Sequence, residues 1–115
     1  MNWLPLVTLD ELTQVDILSN QPDISAVVIF KHSTRCSISS MALNRLERSW
    51  SFPEQKLPAY YLDLLNFRAI SAEIEQRYGI THQSPQILVI KNGKCIFSAT
   101  HSDISVTDLA AFINS

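Results

Sequence analysis

Glycine is scarce in this 115-residue chain, with only Gly79 and Gly93 present, and neither lies in a flexible stretch. No linker, low-complexity tract or internal repeat interrupts the sequence, so its length fits one domain with its own core. Cysteine is also scarce. Cys36 and Cys95 are too few and too far apart for a zinc knuckle without several histidines, and His32, His82 and His101 are scattered. No metal site is expected. The net charge is only -2, which gives no electrostatic reason to expect nucleic acid as a partner. The continuous apolar run Ala26 to Phe30 is far too short to span a membrane. The opening Met1-Asn2-Trp3-Leu4-Pro5-Leu6 lacks a charged segment followed by a long apolar one, so no secretory signal is visible. These absences lead to the expectation of a soluble cytoplasmic protein with no membrane partner, and two cysteines suit a compartment where thiols stay reduced. What is present, 46% hydrophobic and 17% charged residues, is the composition of a globular chain.

Apolar periodicity then orders the elements. Thr8-Leu9-Asp10-Glu11 has the capping-box pattern, and Leu9, Leu12 and Val15 carry a helical face to about Leu18. Ala26 to Lys31 is β-rich and apolar throughout, as in a central strand covered on both faces. Ile38, Ala42, Leu46 and Trp50 recur at helical spacing until Pro53. Ala59 to Leu64 reads as a second inner strand. Asn66 is placed to cap the next helix, with Phe67, Ile70, Ile74 and Tyr78 on one face and Gly79 as its stop. Gln86 to Ile90 is a third core strand, joined by an Asn92-Gly93 hairpin turn to Cys95 to Ala99. Ser105-Val106-Thr107-Asp108 opens a last helix with Val106, Leu109, Ala110 and Ile113 inward. Helix, strand, helix, strand, helix, strand, strand, helix is the order of the thioredoxin-like α/β fold, a mixed central sheet flanked by helices.

Cys36 falls where the first long strand has ended and a helix begins. Its neighbours Ser33, Thr34, Arg35, Ser37 and Ser39 are polar, unlike the surroundings of a structural core cysteine. A helix N-terminus presents unpaired N–H groups and the positive end of the dipole, a setting that favours a thiolate, the nucleophile of sulfur exchange. Arg35 adds positive charge or is simply solvated, and His32 either supports the site or packs under the loop. Ser39 stands where a dithiol protein has its second cysteine. A serine cannot form a disulfide, so a mixed disulfide on Cys36 would need an external thiol to clear it. Cys95 is a poor substitute, because the hairpin puts it at the far end of the sheet and a disulfide requires Cα atoms within roughly 7 Å.

Lys31-His32-Ser33-Thr34-Arg35-Cys36-Ser37-Ile38-Ser39 resembles the active-site segment of the YtxJ family, the monothiol bacilliredoxins, with Ser37 where proline often follows the cysteine. Tyr78-Gly79-Ile80-Thr81-His82-Gln83-Ser84-Pro85-Gln86 is similar to a second segment of that family, and Gly93 to Ile104 resembles its last strand and turn more weakly. The resemblance implies a thioredoxin-like fold and thiol–disulfide exchange in which Cys36 is catalytic and His32, Ser33, Thr34, Arg35 and Ser39 support it. It implies that Ser84-Pro85 is a cis peptide facing the cysteine, and that His82, Ser84, Pro85 and Gln86 receive the thiol or substrate. Bacillithiol is then the co-substrate, with no tightly bound cofactor. The implied partners are bacillithiolated proteins, a low-molecular-weight thiol and a disulfide reductase. Arg35, His82 and the helix N-terminus are the candidates for the negative end of such a thiol. Other readings stay open: a redox-sensing or thiol-storing module without turnover, in which Cys36 is only oxidised or capped, or a purely structural domain. An iron–sulfur carrier would have Cys-Gly-Phe-Ser, which Ser37-Ile38 do not match.

Overall fold

A computed structural model describes residues 2–113. Five strands form one mixed sheet in the order β1-β3-β2-β4-β5. They are β1 (Leu4–Pro5), β2 (Val27–His32), β3 (Ala59–Asp63), β4 (Gln86–Lys91) and β5 (Lys94–Thr100). The helices are α1 (Leu9–Ser19), α2 (Ser37–Ser49), α3 (Arg68–Tyr78) and α4 (Val106–Ile113), with a 3-10 turn at His101–Asp103 before α4. β1 and β2 each pair parallel with β3, whereas β4 pairs antiparallel with both β2 and β5. This is the thioredoxin-like arrangement expected from the element order.

All six residues of β2 are buried, as a strand covered on both faces requires. Its alternation divides the core. Val27 and Ile29 join Leu62, Leu88 and Ile90 on one face, against Leu12 and Val15 of α1 and Ile70 and Ile74 of α3. Val28 and Phe30 join Ile87 and Val89 on the other, against Ala42 and Leu46 of α2 and Leu109 of α4. Thr8 caps α1 as its sequence predicts: its hydroxyl accepts the Glu11 N–H at 3.1 Å, while the Glu11 carboxylate accepts the Thr8 N–H at 2.9 Å.

Two expectations need correction, and one element was not expected. Asn66 does not cap α3; Phe67 holds that position, and the Asn66 amide instead donates to Asp63 Oδ2 at 2.7 Å. Trp50 is not a helical residue of α2. It lies past the last turn in extended backbone and packs on Trp3 and Phe52, with ring centroids 5.6 and 5.1 Å away. The edge strand β1 was not foreseen, since two residues carry no periodicity. Pro5 is tolerated there because an edge strand can spare an N–H.

Among the described residues no helix is long and apolar enough to cross a membrane. Leu88 has no exposed surface, whereas Ile96 on β5 is exposed. Leu88→Ala is expected to cost about 2–5 kcal/mol and Ile96→Ala less than about 0.5 kcal/mol in urea unfolding, the gap between core and surface truncation.

Candidate functional site

The antiparallel pairing of β2 with β4 sets Lys31 opposite Gln86. The chain leaving β2 and the chain entering β4 therefore lie at the same edge of the sheet. The first carries Cys36 and the second carries Ser84-Pro85, which is the cis peptide bond that the family resemblance implied.

Cys36 occupies the N-cap of α2, with extended backbone and a half-buried side chain that makes no capping hydrogen bond. Its N–H donates to the Ser33 carbonyl at 3.1 Å, and its own carbonyl accepts the Ser40 N–H, the first bond of the helix. The sulfur is thus left at the turn where the first N–H groups of α2 lack helical partners. Thr34 and Arg35 are exposed on the same turn.

Beneath that turn the polar residues are tied together. Ser39 is wholly buried. Its Oγ accepts the Ser33 N–H at 3.1 Å and shares a 2.6 Å hydrogen bond with His32 Nδ1. His32 is only 4% exposed, and its ring lies between Phe30 and Tyr61, with centroids 6.0 and 5.5 Å away. Burial holds its imidazole below the ordinary pKa against the pull of Asp63 and Glu47. Of the two roles left open for His32, packing under the loop is therefore its position, and from there it grips the turn through Ser39.

The β4 side is equally braced. Pro85 is buried, and its carbonyl accepts the His101 N–H at 3.2 Å. The Gln86 side chain is buried and spent on the loop before it, donating to the Thr81 carbonyl at 3.1 Å and accepting the Gln83 N–H at 3.4 Å. It holds the loop's shape from below. The Ser84 hydroxyl is buried with no hydrogen-bond partner among the described residues. His82 is exposed, yet its Nδ1 turns inward to Lys31 Nζ and Ser71 Oγ, at 3.3 and 3.2 Å.

Sequence reasoning passed over Lys31, reading it as a strand-end residue. It is wholly buried, and burial lowers its pKa to about 8, partly offset by Glu75. The available signal was a lysine in register with Val27 and Ile29, the inward positions of one face. Asp63, Ser71 and Glu75 were also unremarked. Asp63 pairs with His32 across β3 and β2 and has one carboxylate oxygen buried without a hydrogen-bond partner among the described residues.

Cys95 is half-buried on the face shared with α1 and α3. Its thiol donates to the Phe97 carbonyl at 3.2 Å, and burial pushes its pKa up. It pairs with Ile90, which pairs with Val27. Four residue steps along β2 then separate that level from Lys31, roughly 13 Å of strand. Both cysteines are free thiols. Among the described residues no three His, Cys, Asp or Glu side chains gather as a metal set.

A family profile described as monothiol bacilliredoxin BrxC matches residues 7–109. Among solved structures, a protein assigned as an oxidoreductase with a thioredoxin fold is 29% identical, with 95% of this chain and 91% of that one covered at a TM-score of 0.74. Thioredoxin from Malassezia sympodialis is 24% identical, covering 98% and 89%, at 0.72. Thioredoxin from Trypanosoma brucei brucei is 13% identical over 98% and 88%, at 0.71, and shares the fold alone.

The buried amine gives a pH signature. The lowered Lys31 pKa means that the unfolded chain, with the ordinary lysine value of 10.5, binds the proton more tightly than the folded one. Between pH 8 and 10.5 the unfolded state thus holds more protons at this site, and stability contributed by Lys31 rises with pH. Below pH 8 both states are protonated and the contribution is flat. The unfolding free energy of wild type minus that of Lys31→Met is expected to climb from pH 8 to 10; a constant difference across that range would contradict it.

Proposed function

Because the chain belongs to the monothiol bacilliredoxin family, we propose that it is a thiol–disulfide oxidoreductase that removes bacillithiol from protein mixed disulfides through Cys36. The family and the fold support the coarser statement, a thiol oxidoreductase. The observation that carries the finer one is the pairing of a half-buried Cys36 at the first turn of α2 with a serine, already hydrogen-bonded, three residues on.

The cycle has two exchanges, each conserving one S–S bond. The Cys36 thiolate attacks the bacillithiol sulfur of the mixed disulfide. The bond to the target protein breaks, a Cys36–bacillithiol disulfide forms, and the target's sulfur leaves as a thiolate that takes a proton from water. A second bacillithiol, as thiolate, then attacks the sulfur of the bacillithiol held on Cys36. This restores the Cys36 thiolate and releases oxidised bacillithiol, which a separate disulfide reductase returns to the thiol. Rate in both steps depends on thiolate fraction and access. The first N–H groups of α2, which lack helical partners, open at the turn that presents this sulfur. Ser39 supports the turn as a hydrogen-bond acceptor, and the Ser84-Pro85 loop is the surface offered to the incoming disulfide. Arg35, exposed and directly before Cys36 in the chain, is the cation available to a carboxylate of bacillithiol.

Mass spectrometry after exposure to oxidised bacillithiol is expected to find one adduct on Cys36, reversed by excess thiol. De-bacillithiolation of a modified protein is expected to vanish in Cys36→Ser and to stay within about two-fold of wild type in Cys95→Ser, since a half-buried thiol with a raised pKa at the far end of the sheet is a poor nucleophile. An adduct confined to Cys95 would overturn the assignment. An adduct on Cys36 without turnover would make the protein a thiol-storing module.

A further inference from the structure

Of the two buried basic residues that end β2, only His32 lies under the Cys36 turn. Lys31 points to the opposite face, and its amine meets the loop that precedes Ser84-Pro85. Three side chains converge on His82 there. Lys31 Nζ stands 3.3 Å from its Nδ1, Ser71 Oγ stands 3.2 Å from the same nitrogen, and the Glu75 carboxylate accepts the His82 backbone N–H. Placing a lysine amine with no exposed surface in this position is costly unless its protons find acceptors.

The chemistry of the pair fixes a proton. A lysine ammonium has donors only, so the ring nitrogen facing it must carry the lone pair. The Ser71 hydroxyl is a second donor within reach of that lone pair. Burial and the Lys31 charge, opposed by Glu75, hold His82 below the ordinary imidazole pKa, which disfavours a ring protonated on both nitrogens. The remaining proton then sits on Nε2. His82 is exposed, and Nε2 has no hydrogen-bond partner among the described residues.

We propose that Lys31 is a positioning residue that fixes His82 as its Nε2–H tautomer, so that the ring offers a standing hydrogen-bond donor, beside the Ser84-Pro85 loop, to a carboxylate of the thiol carried on Cys36. This rests on the reading of Cys36 as the thiol-carrying residue. A free histidine in a loop exchanges its proton between the two nitrogens, presenting a donor only part of the time. Here the buried amine removes that choice, and Glu75 fixes the backbone from which the ring hangs. The site thereby gains discrimination between thiols that bear a carboxylate and thiols that do not.

Long-range ¹H–¹⁵N NMR of the whole chain at pH 6.5 reads the tautomer directly, with the His82 signals assigned by their loss in His82→Phe. The expected result is a single Nε2–H form in wild type and a mixture of forms in Lys31→Met. A wild-type proton on Nδ1 overturns the inference without recourse to any variant. Activity is then compared on one protein carrying either bacillithiol or the uncharged 2-mercaptoethanol in mixed disulfide. Lys31→Met and His82→Phe are expected to raise KM for the bacillithiol form roughly ten-fold, the scale of one hydrogen bond to a charged group. The KM for the uncharged form should rise several-fold less, so that the ratio of the two KM values carries the effect. His82→Gln, whose amide can donate, should recover part of the loss. An equal rise for both disulfides would make Lys31 merely structural and defeat the proposal. Absence of turnover by wild type, or turnover that survives Cys36→Ser, defeats the reading of Cys36 and removes the donor's ligand. Turnover that needs Cys36 but ignores Lys31→Met defeats this inference alone.

Discussion

The antiparallel seam between β2 and β4 sets the position of every other part of the site. β2 ends where β4 begins, with Lys31 opposite Gln86, so the cysteine turn and the cis-proline loop are brought to one edge of the sheet although 49 positions separate Cys36 from Pro85. That seam cannot slide. β2 is buried on both faces, and shifting its register by one residue would exchange Val27, Ile29 and Lys31 with Val28, Phe30 and His32. Each apolar set is packed against its own pair of helices, and each basic residue has its own partners. The parallel neighbour β3 adds to the constraint by ending at Asp63 beside His32.

Strand alternation then turns two adjacent residues into two braces. His32 points toward the α2 face and grips the cysteine turn through Ser39, while Lys31 points toward the α3 face and grips the opposite loop through His82. Their charges are kept down by the same cause, since burial lowers the pKa of both. Polar groups placed in a core are tolerated when they are hydrogen-bonded, and at this edge they bond to the backbone and side chains that shape the site. Arg45 extends the bracing on the α2 face by donating to the carbonyls of His101 and Ile104 at 3.0–3.2 Å. Those residues follow β5, and the His101 N–H returns to the Pro85 carbonyl.

The sequence made the layered fold and the position of Cys36 readable, because both depend on patterns that propagate over many residues. The fully apolar run of β2, the Thr8–Glu11 box and the Asn92-Gly93 turn each specify an element locally. The thin parts did not declare themselves. β1 is two residues long, and Asn66 has the chemistry of a cap but found Asp63 first. The network around Lys31 was hidden for a different reason. Its members come from β2, α3 and the following loop, and only the packing of α3 against the sheet brings Ser71 and Glu75 to His82. A lysine at the end of an apolar run reads as a strand meeting solvent, and the sheet instead covers it.

The serine at position 39 shows how a monothiol site is built rather than left over. A cysteine three residues past Cys36 would be a second sulfur in the same helical turn, but a thiol is a weak acceptor. Ser39 in this chain accepts from the Ser33 N–H and bonds His32 at 2.6 Å, in a place with no exposed surface. Replacing that oxygen with sulfur would weaken both contacts beneath the very turn that holds Cys36. The hydroxyl therefore does two things with one atom. It fixes the turn from which the lone sulfur is presented, and it takes the place from which a second sulfur would have competed with an external thiol. With Cys95 held at the other end of the sheet by its own hydrogen bond to Phe97, the proposed cycle leaves release of a thiol bound to Cys36 to a second thiol arriving from solution.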